Sequence, residues 1–243
     1  WRIGFLFSLV LMIVGVYFRR KLAESPIYQQ LQQQQQTSQA PIRDIMHSGV
    51  WKNLLIGMGI VWLIAALIAQ VYLYMPAYLH KHLHVPLSTA LLENTISLII
   101  LSILIPITGW LSDRFGRRQL FIIASLFFII FSHPLYVALA ASNNRWIVFV
   151  PLTIMSAIAV SAFPATIAEL FSTRLRYTSI ALCYNISFAI FGGLTPLIAT
   201  SLIYKTGNVH AVAYNLIAAG IASLIASLFL KDRRHDSLEA IEH

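Results

Sequence analysis

Most of this 243-residue sequence is chemically inert, and the side chains that could do chemistry stand inside or beside long apolar runs. The densest group is Gly109-Trp110-Leu111-Ser112-Asp113-Arg114-Phe115-Gly116-Arg117-Arg118. One acid and three arginines occupy a turn too short to leave a membrane surface. Gly109 and Gly116 let two helices approach and reverse. The chemistry open to this turn is ion pairing, and Glu169, the one acid of the 169–178 connection, is available to it. Glu93 lies inside an apolar run beside Asn94, and partial burial would lift its carboxyl toward a proton-carrying range. The alternative is a hydrated acid paired with Lys81 or with one of His80, His82 and His84. Gln70 and Tyr74 are four apart and share a helix face, which Tyr78 extends to the interfacial belt. With Asn94 and Asn185 they offer hydrogen bonds to a polar solute; the alternative is bonding between helices. The spacing Asn185, Ala189, Gly192, Pro196 predicts a bendable, cavity-lining helix, with tight packing as the alternative. His133-Pro134 reads as a kink carrying a neutral histidine. Asn185-Ile186-Ser187 matches a glycosylation sequon but falls inside an apolar run, so it is discounted. The three histidines lack a fourth ligand, and no nucleophile–base set is present. No metal, cofactor or catalytic residue is expected.

The elements that must position these residues are membrane spans. Hydrophobic residues make up 58% of the chain and charged residues only 11%, against about 25% in soluble domains. Mean hydropathy is +0.74. The net charge of +8 does not point to nucleic acid, because the basic residues sit between spans and form no face interleaved with exposed aromatics. The single cysteine, Cys183, excludes an internal disulfide. Seven apolar runs approach the length a bilayer requires: 3–18, 53–79, 87–111, 119–141, 146–168, 179–204 and 211–230. Lysine and arginine alternate strictly between connections. Arg19, Arg20, Lys21, Arg43 and Lys52 share one side with Arg114, Arg117 and Arg118, with Arg174 and Arg176, and with Lys231, Arg233 and Arg234. The other side holds Lys81, Arg145 and Lys205. The richer side is expected to be cytoplasmic, including the C-terminus. Residues 1–18 read as the last helix of a preceding bundle and 19–52 as a glutamine-rich cytoplasmic linker with a short amphipathic helix near 41–49. Residues 53–230 read as a six-helix bundle and 231–243 as a cytoplasmic tail. The runs 3–18, 119–141 and 211–230 are the plainest, so they are expected to face lipid, and the others a cavity. The chain opens on Trp1 within a run, which reads as part of a longer product.

The pattern G-x-L-S-D-R-x-G-R-R at 109–118 resembles the signature loop of the major facilitator superfamily. Further stretches resemble its metabolite:proton symporters: Arg19-Arg20-Lys21-Leu22-Ala23-Glu24-Ser25-Pro26, Tyr74-Met75-Pro76-Ala77-Tyr78-Leu79, Glu169 to Thr178, Tyr184-Asn185-Ile186 and Gly192-Gly193-Leu194-Thr195-Pro196. Ala23 and Ser172 stand where that family often has proline. The resemblance implies an all-α polytopic bundle, namely the C-terminal half of a carrier plus the preceding helix. It implies proton-coupled uptake of an organic acid, amino acid or betaine by alternating access, in a bacterial inner membrane, with the N-terminal half as partner. Much of the proton coupling is expected in that half. The competing readings are a proline/betaine osmolyte carrier with Tyr74 stacked on the ammonium, a transport-incompetent fragment or scaffold, and an integral-membrane enzyme. The resemblance also implies that Arg114 pairs with Glu169 as a gate, with Arg117 or Arg118 as substitutes, and that Asp113 faces a helix N-terminus in the other half.

Overall fold

The computed structural model describes residues 2–21 (side chains for 8–19), 50–142, 144–172 and 174–230. All regular structure among them is helical. We label the helices α1 (Arg2–Lys21), α2 (Trp51–Leu83), α3 (Leu87–Phe115), α4 (Arg117–Ala141), α5 (Trp146–Leu170), α6 (Arg176–Thr206) and α7 (Val209–Leu228). Helices α2 to α7 are each long and apolar enough to cross a membrane, so the all-α, polytopic bundle expected from the sequence is the fold found. The chain divides into two compact units, Trp1–Gln39 and Ala40–His243. In the first, α1 presents exposed apolar side chains from Leu9 to Phe18. The glutamine run, the 41–49 segment and the 231–243 tail lie outside the described residues.

Two spans are opened by proline. Pro76 has no N–H to donate and its ring collides with the carbonyl four residues back. The ladder before it relaxes into a π-helical stretch, Leu67–Tyr74, inside α2. Pro196 acts likewise in α6, where Phe188–Gly192 is π-helical and the Gly193 N–H reaches the Phe188 carbonyl at 2.8 Å. Pro106, Pro134, Pro151 and Pro164 are instead carried within unbroken helix. Between α3 and α4 the chain reverses at Gly116, whose φ of 94° favours glycine.

Small residues and short polar bridges bring the helices together, as a bilayer requires. A Cβ on Gly220 of α7 would stand 3.2 Å from the Ser125 carbonyl of α4, and one on Gly59 of α2 would stand 2.9 Å from Ala226 Cβ of α7. Ser125 bonds Ser223 at 3.0 Å, and Thr108 of α3 donates to the Ala157 carbonyl of α5 at 3.1 Å. The plain helices are consequently not the least buried. The most apolar stretch of α7 is 56% buried and that of α4 39%, against 17% in α3 and 22% in α6. Helices α4 and α7 do keep exposed apolar faces, among them Ile123, Ile130, Ile221 and Ile225. Composition describes what a face can tolerate; the glycine and serine positions decide how closely it packs.

Candidate functional site

At the 109–118 turn the structure pairs Glu169 with Arg117, not with Arg114. Gly116 explains the choice. Arg117 is the first residue beyond the reversal and opens α4, which packs along α5, where Glu169 sits in the last turn. Arg114 lies before the reversal and rests over the Trp110 ring, 5.5 Å from its centroid. Arg117 also reaches the exposed Asp113 at 3.4 Å, and Arg118 donates to the Leu228 carbonyl of α7 at 3.2 Å. Gly109 has open space around it: an added Cβ would meet nothing within 4 Å. Beside Glu169, the Leu170 carbonyl accepts from Asn53 Nδ2 at 3.0 Å, tying α5 to the start of α2. Cys183 is fully buried in this layer. A Cβ on Gly57 would stand 2.8 Å from its sulfur, 3.2 Å from Ile167 and 3.3 Å from Leu170.

In the middle of the bundle Gln70 is wholly buried and all its polar atoms are engaged inside the protein. Its Nε2 donates to the Tyr136 hydroxyl at 3.0 Å and to the Val212 carbonyl at 2.9 Å, and its Oε1 accepts from Asn215 at 2.8 Å. The helix–helix alternative therefore describes Gln70 here: it ties α2 to α4 and α7. Tyr74 is half-buried, with its hydroxyl 3.3 Å from that of the exposed Thr200 on α6. Tyr78, expected in the interfacial belt, is instead fully buried. It donates to the Val209 carbonyl at 3.1 Å and packs edge-on against Tyr136. Asn185 is exposed, and its amide nitrogen donates one N–H to the Ala181 carbonyl at 2.8 Å. Asn94 is buried, and its amide oxygen accepts no hydrogen bond. Trp62 of α2 stacks on Phe191 of α6 at 3.9 Å, against the π-helical turn.

At the opposite end Glu93 is held by Arg145, through Nε at 3.0 and 2.8 Å and Nη2 at 2.7 Å. Neither Lys81 nor a histidine takes that role. The hydrogen bonds from the guanidinium to Glu93 raise the Arg145 pKa. Arg145 precedes α5 and lies 52 residues from its partner, a pairing that needs the α3–α5 packing to be seen. His80 bonds the Val85 carbonyl at 3.0 Å, and among the described residues no cluster of metal ligands forms. His133 stacks on Tyr214.

Sequence reasoning missed Tyr136, Asn215, Arg145 and Thr200. The first two had a signal: each is a polar side chain within a run otherwise read as plain, and a polar group in such a run needs an internal partner.

A family model described as Major Facilitator Superfamily matches residues 1–183 and 71–242. The chain is 31% identical to the glycine betaine/proline/ectoine/pipecolic acid transporter of Dickeya dadantii, covering 98% of this chain and 50% of that protein. It is 30% identical to the proline/betaine transporter of Escherichia coli (98% and 50%) and 30% identical to the shikimate transporter of Escherichia coli (96% and 54%). The chain thus spans about half the length of the curated relatives it matches. Six apolar spans, a charged reversal between two of them, and a family model matching most of the sequence agree: the chain belongs to the Major Facilitator Superfamily.

Proposed function

We propose that this chain is the C-terminal half of a secondary active transporter. It takes up a small polar metabolite with a proton by alternating access, rocking against an N-terminal six-helix bundle around a midplane site. The observation that carries the reading is the meeting of α2 and α6. Each is opened into π-helical turns near mid-length, and they touch through Trp62 on Phe191 and Tyr74 on Thr200. Irregular helix at membrane depth is stable only where it is packed in protein or lines a polar space. Tyr74 and Asn185 remain accessible enough to meet a solute, and Asn185 keeps a second N–H for it. Gln70 acts from behind, fixing the π-helical stretch, and the open lone pairs of Asn94 are available to a neighbouring donor.

In this reading residues 1–18 end the first bundle, 19–52 link the halves, and 53–230 form the second. The Arg117–Glu169 pair closes the cytoplasmic side, and the protein sits in a bacterial inner membrane with its C-terminus inside. Glu93 would carry a proton only in a state where Arg145 has released it. The solute is an organic acid, an amino acid or a betaine. The names of the Dickeya and Escherichia relatives favour an osmolyte such as proline or glycine betaine.

The test is uptake. The carrier containing this chain, expressed in cells lacking their own osmolyte carriers, should accumulate radiolabelled proline, glycine betaine or an organic acid, and a protonophore should stop it. This chain alone should insert without accumulating solute, and co-expression with its N-terminal half should restore uptake. Accumulation that survives collapse of the proton gradient would remove the coupling, and no accumulation of any such solute would leave a scaffold.

A further inference from the structure

We propose that the rings of Trp62, Phe163, Tyr184, Phe188 and Phe191 hold the ammonium end of a zwitterionic solute by cation–π attraction. The site lies where α2, α5 and α6 meet near mid-membrane. This inference rests on the transport reading and deepens it by naming what recognises the solute's positive end.

Phe191 lies at the centre of α6 (Arg176–Thr206), and its ring is parallel to that of Trp62, 3.9 Å away with 11° between planes. One turn toward the charged reversal, Phe188 stacks on Tyr184 at 4.3 Å. Phe163 of α5 faces Tyr184 at 6.2 Å. Two ring groups, Trp62 with Phe191 and Phe163 with Tyr184 and Phe188, thus lie within three turns of one another along α6. They are not sealed in the core: Tyr184 is 41% exposed, and Trp62, Phe163, Phe188 and Phe191 are half-buried. A stacked ring keeps one face free of its partner, and an aromatic face carries the negative lobe of the quadrupole.

A cation taken from water into the bundle needs compensation. Among the described residues the acids are Glu93, Asp113 and Glu169. All three lie toward helix ends, and each is engaged by an arginine: Glu93 by Arg145, the other two by Arg117. No described carboxylate is left for an ammonium at mid-depth, so ring faces are the anionic surface this half offers there. Tyr74 is the weaker candidate: its hydroxyl already meets Thr200, and its one ring neighbour among the described residues, Tyr78, is tilted at 6.3 Å. Rings of this kind favour a quaternary or secondary ammonium, whose charge is spread over carbon-bound hydrogens, and offer nothing to a solute that is only an anion.

The experiment replaces Trp62 in the carrier containing this chain with mono- to tetrafluorotryptophan, incorporated at that position alone. Each fluorine weakens the ring quadrupole while nearly preserving shape. KM for glycine betaine should rise stepwise, reaching roughly 5- to 30-fold for the most fluorinated ring. Trp62→Leu should match that loss, and Trp62→Phe should retain most of the affinity. A flat fluorine series with uptake intact would overturn the ring site and leave the transport reading standing. Should the unsubstituted carrier take up no solute, the transport reading fails separately. Glycine betaine binding to the purified carrier then decides the site: a Kd that follows the fluorine series supports it, and absent binding or a flat series overturns it.

Discussion

Removing the carboxylate of Glu169 should loosen the cytoplasmic end of the bundle, and Cys183 is placed to report it. The Arg117 and Glu169 side chains are 21% and 24% exposed, between a surface pair and a buried one. Exposed pairs contribute up to about 1 kcal/mol, and breaking a buried pair costs about 3–5 kcal/mol. Glu169→Gln leaves Arg117 a second partner, Asp113, but that side chain is 72% exposed and compensates little. We expect a loss of about 1–2 kcal/mol, which is roughly a 5- to 30-fold change in a local opening equilibrium. The thiol of Cys183 is buried in an apolar cluster with Val61, Ile167 and Phe171, with Leu170 packed against it; Ile167 and Leu170 stand on the turns of α5 that carry Glu169, and Cys183 is the one cysteine in the chain. Labelling by a membrane-permeant maleimide therefore counts openings of this layer. The Glu169→Gln variant should label about 5- to 30-fold faster than the parent, and Arg114→Gln should change the rate less than about twofold. Exchanging the charges, Arg117→Glu with Glu169→Arg, should restore part of the slow rate, limited by Asp113 beside the introduced acid. An unchanged rate in Glu169→Gln, with denatured protein labelling completely, would refute the latch and leave the arginines as topology anchors.

Gln70→Leu should cost about 2–4 kcal/mol, because it strands Tyr136, Asn215 and the Val212 carbonyl, whereas Tyr74→Phe should cost under about 1 kcal/mol; thermal unfolding of the purified chain in detergent separates them. Glu93→Gln should lower the unfolding temperature as well. The Arg145 pKa is raised on folding, so the stability that Arg145 titration confers is complete below the arginine range and is lost only at strongly alkaline pH; the Arg145 contribution should be flat between about pH 6 and 8. Gly59→Leu should destabilise by about 1–3 kcal/mol, since even its Cβ meets Ala226 at 2.9 Å, and Gly109→Ala should be near neutral. A cytoplasm-active reporter fused after His243 should be functional; activity of a periplasm-specific reporter there would overturn the orientation assigned from lysine and arginine.

How much of this was legible depended on whether a property is local to one helix. Span existence was legible, because hydropathy over about 20 residues is a sum that no tertiary contact alters. The break in α6 was foreshadowed by Gly192-Gly193 and Pro196, since a proline's missing donor acts within four residues. Its counterpart in α2 is equally local, because Pro76 acts on its own ladder. The partners were not legible. Arg114 and Arg117 are equally basic, and only the direction of the chain after Gly116 brings one of them to Glu169. In the sequence Arg145 is an orientation signal, yet the same charge closes on Glu93 once α3 and α5 pack.

Gln70 shows where periodicity ends. Spacing of four places Gln70 and Tyr74 on one face of an α-helix, but the stretch from Leu67 to Tyr74 is π-helical, with more residues per turn. The four-residue register therefore drifts, and the two side chains diverge, Gln70 toward Tyr136 and Asn215, Tyr74 toward Thr200. Pro76, two residues beyond Tyr74, both causes the drift and could have warned of it. A polar pair placed just before a proline in a membrane span should be read with a widened turn in mind. Under that rule Gln70 becomes a structural tie and Tyr74 remains the solute-facing candidate, a division that the contrast between Gln70→Leu and Tyr74→Phe tests directly.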